Sequence, residues 1–262
     1  MSDTTFTPGQ FCWWDLSTTN PEKAKEFYTA LFGWTPRDVP VGEGAVYTML
    51  EKDGKQAAAL SSMQPEMAAM GVPPHWSSYI GVEDVDSSVA KAKELNATVL
   101  AEPFDVMTEG RMAVLQDPTG AQICLWQPKN HKGAQHVNAV GGVIWNELAT
   151  PDAPAAGEFY GSLFGYDVKP SPMGDFTYTT LSKGDSQLAG IMPMEGEEWA
   201  GIPPHWMPYF AVENAEASAD SAKALGAEIK VPPTVIPNIG TFSVIQDPTG
   251  AVFSIIEMAP MN

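Results

Sequence analysis

The same pattern of residues is written twice along this chain. Trp13, Phe27-Tyr28 and Leu31-Phe32-Gly33 return as Trp145, Phe159-Tyr160 and Leu163-Phe164-Gly165, at an offset of 132. Tyr47, Leu50, Gln56 and Met63 return as Tyr178, Leu181, Gln187 and Met194, at an offset of 131. Pro73-Pro74-His75-Trp76 and Asp117-Pro118-Thr119-Gly120-Ala121 return from Pro203 and Asp247, at an offset of 130. So small a drift over so many matched positions marks a duplicated unit. The 262 residues are expected to divide into a first module over 1–130, a linker over 131–140 and a second module over 141–262. The stretch Pro128–Val140 is polar and holds His131 and His136, two of the four histidines. Such a tract can bind metal, but its composition favours a plain connection.

Within one copy, Phe11–Ser17 reads as a strand. Asn20 caps a helix with Pro21 at its first position, and Gly33 ends it. Trp34–Val39, Ala45–Leu50 and Gln56–Ser62 read as short strands, the last two joined by an Asp53-Gly54 hairpin turn. After a Met- and Pro-bearing connection, Pro65–Pro74, the order repeats. Strand His75–Val82 leads to helix Val85–Leu95 and strand Thr98–Ala101. Arg111–Gln116 and Ala121–Gln127 then flank the Asp117–Gly120 turn. The second copy runs from Gly141 to Met258, its second helix spanning Ala215–Leu225 and ending at Gly226. The whole is α+β, with four βαβββ units in two pairs.

Hydrophobic residues make up 44% and aromatics 10% of the chain, enough for a packed core without metal or disulfide support. Cys12 and Cys124 suggest no disulfide framework. The formal charge of −18 repels phosphate backbones and anionic lipid heads. Neither nucleic acid nor a membrane is therefore an expected partner. No apolar run approaches the roughly 20 residues of a membrane span. The opening residues, Met1–Gln10, have no secretory pattern, so a cytoplasmic protein is expected. There is no G-x-S-x-G elbow, phosphate loop or HExxH, and Gly42-Glu43-Gly44 does not open a helix as a dinucleotide fingerprint would.

In their order, these motifs resemble the vicinal-oxygen-chelate superfamily of glyoxalase I, bleomycin-resistance proteins and extradiol dioxygenases. The Phe-Tyr helix, the Gly81–Val85 strand-to-helix step and the Asp-Pro-Thr-Gly turn carry the resemblance over nearly all of Gln10–Met258. The nearest subgroup by these marks is the two-module bacterial glyoxalase-like proteins of the mycobacterial antigen type. The resemblance implies two glyoxalase-like modules whose mixed sheets each curl into a ligand-holding cup. In metal-dependent members, His, Glu or Gln from three strands hold a divalent ion. Carried over by motif, those positions fall on Trp13, Ser77 and Cys124 in the first copy, and on Trp145, Met207 and Ser254 in the second. By resemblance, then, the fold is kept and the metal set is lost.

Two residues along from the first lost position stand Asp15 and Glu147, and two before the second stand His75 and His205, on the same strand faces. A carboxylate and an imidazole could act as acid and base or, less favourably, bind a divalent metal. The plainer alternative is that His75 and His205 pack at strand starts, hydrogen-bonded to nearby backbone. Trp13 and Trp145 could offer a stacking floor for a planar ligand or simply plug the cup. Ligand binding is thus expected at Trp13, Asp15, Ser77, Cys124, Trp145, Glu147, Met207 and Ser254, with no cofactor. Met63, Met67 and Met70 could line an adaptable mouth or fill core.

Three functions are open. The first is a metal-free cup that binds a small, mostly apolar planar molecule. The second is a glyoxalase-like lyase or a hydroxylase- or dioxygenase-type enzyme using Asp15/Glu147 and His75/His205. The third is a protein-interaction scaffold. The expected partner is a small molecule, with the chain a monomer of pseudo-two-fold symmetry or a homodimer.

Overall fold

The computed structural model describes residues 7–42 and 44–260. Most of the N-terminal stretch read for a leader, and Glu43 of the Gly42–Gly44 fragment, lie outside the described residues. The first repeat contains β1 (Phe11–Thr18), α1 (Pro21–Phe32), β2 (Thr35–Pro40), β3 (Val46–Lys52) and β4 (Lys55–Ser62). A short helix α2 (Pro65–Ala69) follows, then β5 (His75–Gly81), α3 (Val85–Glu94), β6 (Thr98–Val106), β7 (Gly110–Gln116) and β8 (Gln122–Pro128). The second repeat contains β9 (Val143–Thr150), α4 (Ala153–Phe164), β10 (Asp167–Met173), β11 (Phe176–Lys183) and β12 (Ser186–Pro193). It continues with β13 (His205–Ala211), α5 (Ala215–Ala224), β14 (Glu228–Ile236), β15 (Gly240–Gln246) and β16 (Val252–Met258).

Local chemistry sets the helix ends. The Asn20, Asp84, Asp152 and Asn214 side chains each accept a backbone N–H of the first turn, satisfying a donor the helix cannot. Gly33 and Gly165 close α1 and α4 in the left-handed region, at φ 64° and 70°, where a Cβ would be strained. Asp53 and Gly54 also take positive φ, as the tight turn between β3 and β4 requires.

The strands form two eight-stranded mixed sheets, in the orders β2-β3-β4-β1-β5-β8-β7-β6 and β10-β11-β12-β9-β13-β16-β15-β14. β1 pairs with β4 and β5 with β8 in parallel, whereas β2–β3, β3–β4, β6–β7 and β7–β8 are antiparallel. In each order the end strands differ, so neither sheet closes. β6 runs farther than its sequence suggests, to Val106 rather than Ala101. Pro103 masks it. An edge strand tolerates the missing N–H, and the register shifts between Ala101 and Phe104 accommodate it. The Pro65–Pro74 connection holds α2, whose start at Pro65 fits the fixed φ of proline.

By contacts between backbones the chain divides into two compact units. One comprises Met1–Trp13, Ser77–Gly133 and Trp145–Met207; the other comprises Trp14–Trp76, Ala134–Ile144 and Pro208–Asn262. Each unit contains elements of both repeats, and each is fastened by the same device. In the first, the fully buried Tyr160 of α4 donates its hydroxyl to Asp117 Oδ2 at 2.8 Å and accepts Trp206 Nε1 at 2.8 Å. In the second, Tyr28 of α1 donates to Asp247 Oδ2 at 2.8 Å and accepts Trp76 Nε1 at 3.0 Å. Burial, followed by the neighbouring aspartate charge, pushes both phenols up, so they remain donors. The other oxygen of each aspartate accepts from its own turn: Asp117 Oδ1 takes Thr119 N, Thr119 Oγ1 and Ala121 N, and Asp247 Oδ1 takes the matching three. The turn packs on the proline pair of the other repeat, for a Cβ on Gly120 would lie 3.5 Å from Pro204 and one on Gly250 3.7 Å from Pro74.

Tyr28→Phe removes an oxygen that is both donor and acceptor and strands Trp76 Nε1. The expected loss is about 2–3 kcal/mol, the scale of a buried polar group left unsatisfied. Urea unfolding should show a lower midpoint with an unchanged slope, and Tyr160→Phe should behave alike.

Candidate functional site

β1 and β9 place the first pair of candidate residues. Trp13 and Asp15 share one strand face, as do Trp145 and Glu147, because side chains alternate. In the second repeat these groups are joined. Trp145 Nε1 donates to Tyr178 Oη at 2.9 Å, and Tyr178 donates to Glu147 Oε2 at 2.8 Å. Glu147 is 8% exposed, and Trp145 half-buried. Burial, then the Glu147 charge, pushes the Tyr178 phenol up, so it keeps its proton. Gly190 leaves the space that the Tyr178 ring occupies. It stands opposite Glu147 in the β12–β9 register, and a Cβ there would lie 1.8 Å from Tyr178 Oη. The tyrosine crosses the strand where no side chain intervenes. In the first repeat Tyr47 donates to Asp15 Oδ2 at 2.9 Å, with Ala59 opposite Asp15 in place of the glycine.

An imidazole lies against Trp13. It is 3% exposed, and the His131 ring meets it edge-on at a centroid separation of 4.4 Å and an interplanar angle of 84°. The same imidazole stands 5.8 Å from Trp126 at 70°. Its main chain is pinned: His131 N donates to Glu109 O at 3.0 Å, and Trp126 Nε1 donates to His131 O at 3.0 Å. Trp126 lies over Gly110, where a Cβ would fall 2.3 Å from the indole. Burial lowers the His131 pKa to about 4, against a small opposing pull from Glu109. Its Nε2 is buried without a hydrogen-bond partner. The stretch read as a linker is thus held along its length, for Gln135 N and His136 N both bond to Gln56 O.

The remaining positions lie on strand faces turned from the helices. Cys124 and Trp126 alternate with Gln127, whose Oε1 caps α3 at Val85 N. Tyr79 stands opposite Cys124, so Ser77 shares that face. Ser254 is fully buried opposite Tyr209 of β13, and Met207, on the same strand face as Tyr209, is 7% exposed. On the other side, Glu257 caps α5 at Ala215 N. His75 and His205 donate Nδ1–H to Pro73 O and Pro203 O, each at 2.9 Å, a bond that fixes each ring to its own strand start. Burial lowers the His205 pKa. Cys12 and Cys124 are buried and form no disulfide. Met63 is buried and Met70 is exposed. Among the described residues no group of three or more His, Cys, Asp or Glu is gathered as metal ligands would be.

Sequence reasoning found Trp145 and Glu147 but not the tyrosine between them. The signal was present, since Tyr47 and Tyr178 are matched in the repeat and Gly190 interrupts a strand. His131 gave no such signal, because only the fold returns it to Trp13.

The fold and the repeated strand faces define a class. The chain belongs to the Glyoxalase/Bleomycin resistance protein/Dioxygenase superfamily, whose model matches it twice, over residues 10–125 and 135–255. It is 42% identical over 254 residues to the protein named "Putative glyoxylase CFP32" from Mycobacterium tuberculosis (strain CDC 1551 / Oshkosh), covering 95% of each chain. It is 32% identical over 265 residues to "Anthracycline biosynthesis protein DnrV" from Streptomyces peucetius, covering 97% of this chain and 95% of that one. Among solved structures it is similar to a Mn(II)-bound glyoxalase from Novosphingobium aromaticivorans, with TM-score 0.66, 18% identity, and coverage of 95% and 82%. It is likewise similar to the 2,3-dioxygenase LapB from Pseudomonas sp. KL28, with TM-score 0.66, 14% identity, and coverage of 97% and 94%. At these identities the structural likeness shows the fold alone. Among the described residues no helix is long and apolar enough to cross a membrane.

Gly190→Ala should push Tyr178 from its place and break both of its bonds. We expect a stability loss of about 2–4 kcal/mol, from strain and the loss of Tyr178's hydrogen bond to a buried carboxylate, and altered Trp145 emission. Ala59→Gly, the converse change, should cost no more than about 1 kcal/mol.

Acid should also weaken the fold. His131 and His205 have depressed folded-state pKa values, so the unfolded chain binds more protons below about pH 6.5. The stability they contribute is complete above that pH and is lost as pH falls toward His131's value near 4. Urea midpoints measured from pH 7.5 to 4.5 should fall, and His131→Phe should flatten the curve.

Proposed function

We propose that this chain binds a planar, mostly apolar small molecule at an indole of one of its two repeats, Trp13 or Trp145, without a divalent metal ion. The observation that carries this reading is the joined Trp145–Tyr178–Glu147 group. It sets a half-buried aromatic face beside a fixed hydroxyl and a buried carboxylate. A mainly apolar surface with a few convergent polar groups is the usual form of a small-molecule site, and stacking on an indole adds on the order of 1 kcal/mol beyond area burial. The carboxylate and the charge of −18 favour neutral or cationic ligands over anions. The relative named for anthracycline biosynthesis supports it, since anthracyclines carry a planar fused-ring core.

The donor chemistry supports the metal-free part. An indole N–H has no lone pair to give, and a thioether and a hydroxyl are poor ligands for the harder divalent ions. Cys124 alone is a strong donor, and one thiol by itself makes no metal site, so neither Trp13, Ser77 and Cys124 nor Trp145, Met207 and Ser254 fit a divalent ion. The alternative is a lyase or oxygenase-type enzyme using Asp15/Glu147 and His75/His205. It draws on the relative named a glyoxylase. With Nδ1 held by proline carbonyls, those histidines would act through Nε2. A cytoplasmic protein with a small-molecule partner, and none in nucleic acid or membrane, fits the same acidic surface.

Tryptophan fluorescence should be quenched at micromolar concentrations by some member of a panel of planar neutral and cationic compounds, and less by anionic ones. Trp13→Ala or Trp145→Ala should weaken binding about tenfold or more. If no compound binds, or neither change matters, the indoles are packing residues. Near-stoichiometric zinc, nickel, manganese or iron that survives dialysis and is lost in Cys124→Ala would favour the enzyme instead.

A further inference from the structure

The two indoles are not equivalent. Trp145 is half-buried, and its Nε1 donates to Tyr178. Trp13 is 3% exposed and carries the His131 imidazole at 4.4 Å. Among the described residues no imidazole lies against Trp145. At the offset of 130 the residue corresponding to His131 is Met261, which has no ring and lies outside the described residues.

His131 does not behave as an ordinary core histidine. A polar atom removed from water is normally hydrogen-bonded, yet the buried Nε2 of this half-buried ring has no partner. The ring is held instead by aromatic contacts, edge-on to Trp13 and Trp126, while its position is set through the backbone by Glu109 O and Trp126 Nε1. Gly110 keeps Trp126 in place beneath it. A planar, neutral heterocycle packed against indoles is what a small ligand of this site would look like. Here the chain supplies it.

We propose that His131 is a resident pseudo-ligand that closes the first repeat's aromatic site, leaving the Trp145–Tyr178–Glu147 site as the one open to small molecules. The open site takes neutral or cationic planar rings bearing a hydrogen-bond donor for the Glu147 side. This assignment of the open site rests on the small-molecule reading above; the plug itself does not. Burial keeps the imidazole neutral, with a pKa near 4, and Glu109 is the charged group that acts on it.

Two probes test this. The first is imidazole at about pH 8, where it is mostly neutral. His131→Ala should melt at a lower temperature than the parent, and imidazole should restore it saturably. The parent and His131→Phe, whose slot is filled, should not respond. Equal responses in all three would overturn the plug. The second probe is 2-naphthol, followed by equilibrium dialysis. The parent should bind at one site that Trp145→Ala or Tyr178→Phe weakens about tenfold or more and Trp13→Ala does not. His131→Ala should gain a further site, lost again with Trp13→Ala. Binding by the parent that depends on Trp13 and not on Trp145 would overturn this inference while sparing the binding reading. If neither the parent nor any variant binds 2-naphthol or any other planar compound, the binding reading falls, and the imidazole response alone decides the plug.

Discussion

A carboxylate buried at a tight turn holds each compact unit together. Asp117 and Asp247 are each 3% exposed, and a carboxylate removed from water must be matched by donors. Each is: one oxygen organises its own turn, and the other receives a tyrosine hydroxyl from a helix of the opposite repeat. The tyrosine in turn takes an indole N–H from the strand after the proline pair. Three motifs far apart in sequence thus meet at one phenol oxygen. The helix, the turn and the strand are then fixed together, and the strand faces bearing Trp13, Cys124, Trp145 and Met207 follow from that.

On this shared frame the repeats diverge where chemistry would occur. Glu147 faces Gly190 and receives Tyr178 from across the strand; Asp15 faces Ala59 and receives Tyr47. The carboxylate is one methylene longer in the second repeat, and a methyl group stands opposite it in the first. Trp145 donates to Tyr178, and the His131 imidazole lies against Trp13. Duplication supplied two copies of the fold, and substitutions of this size made the two faces unlike.

Much of the fold was legible. Asn20, Pro21 and Gly33 gave the limits of the first helix because caps and left-handed glycines act locally. Asp53-Gly54 gave its turn for the same reason. β6 was read too short because Pro103 argues against a strand, and only its position at the sheet's edge removes the objection. The candidate residues on β1 and β9 were legible through alternation along a strand. Their partners were not, since Tyr178 reaches Glu147 across a neighbouring strand and His131 returns to Trp13 after more than a hundred residues of intervening chain.

The sequence by itself determined the duplication, the order of helices and strands, the acidic character and the presence of an indole two residues from a carboxylate in each copy. These depend on spacing and on each residue's own preferences. Tertiary structure decided that the tyrosine of one repeat bonds to the turn of the other, that Gly190 opens a path for Tyr178, and that His131 covers Trp13 and not Trp145. Each of these depends on which strands and loops are brought side by side, and that follows from burying the whole apolar surface at once rather than from any local run of residues.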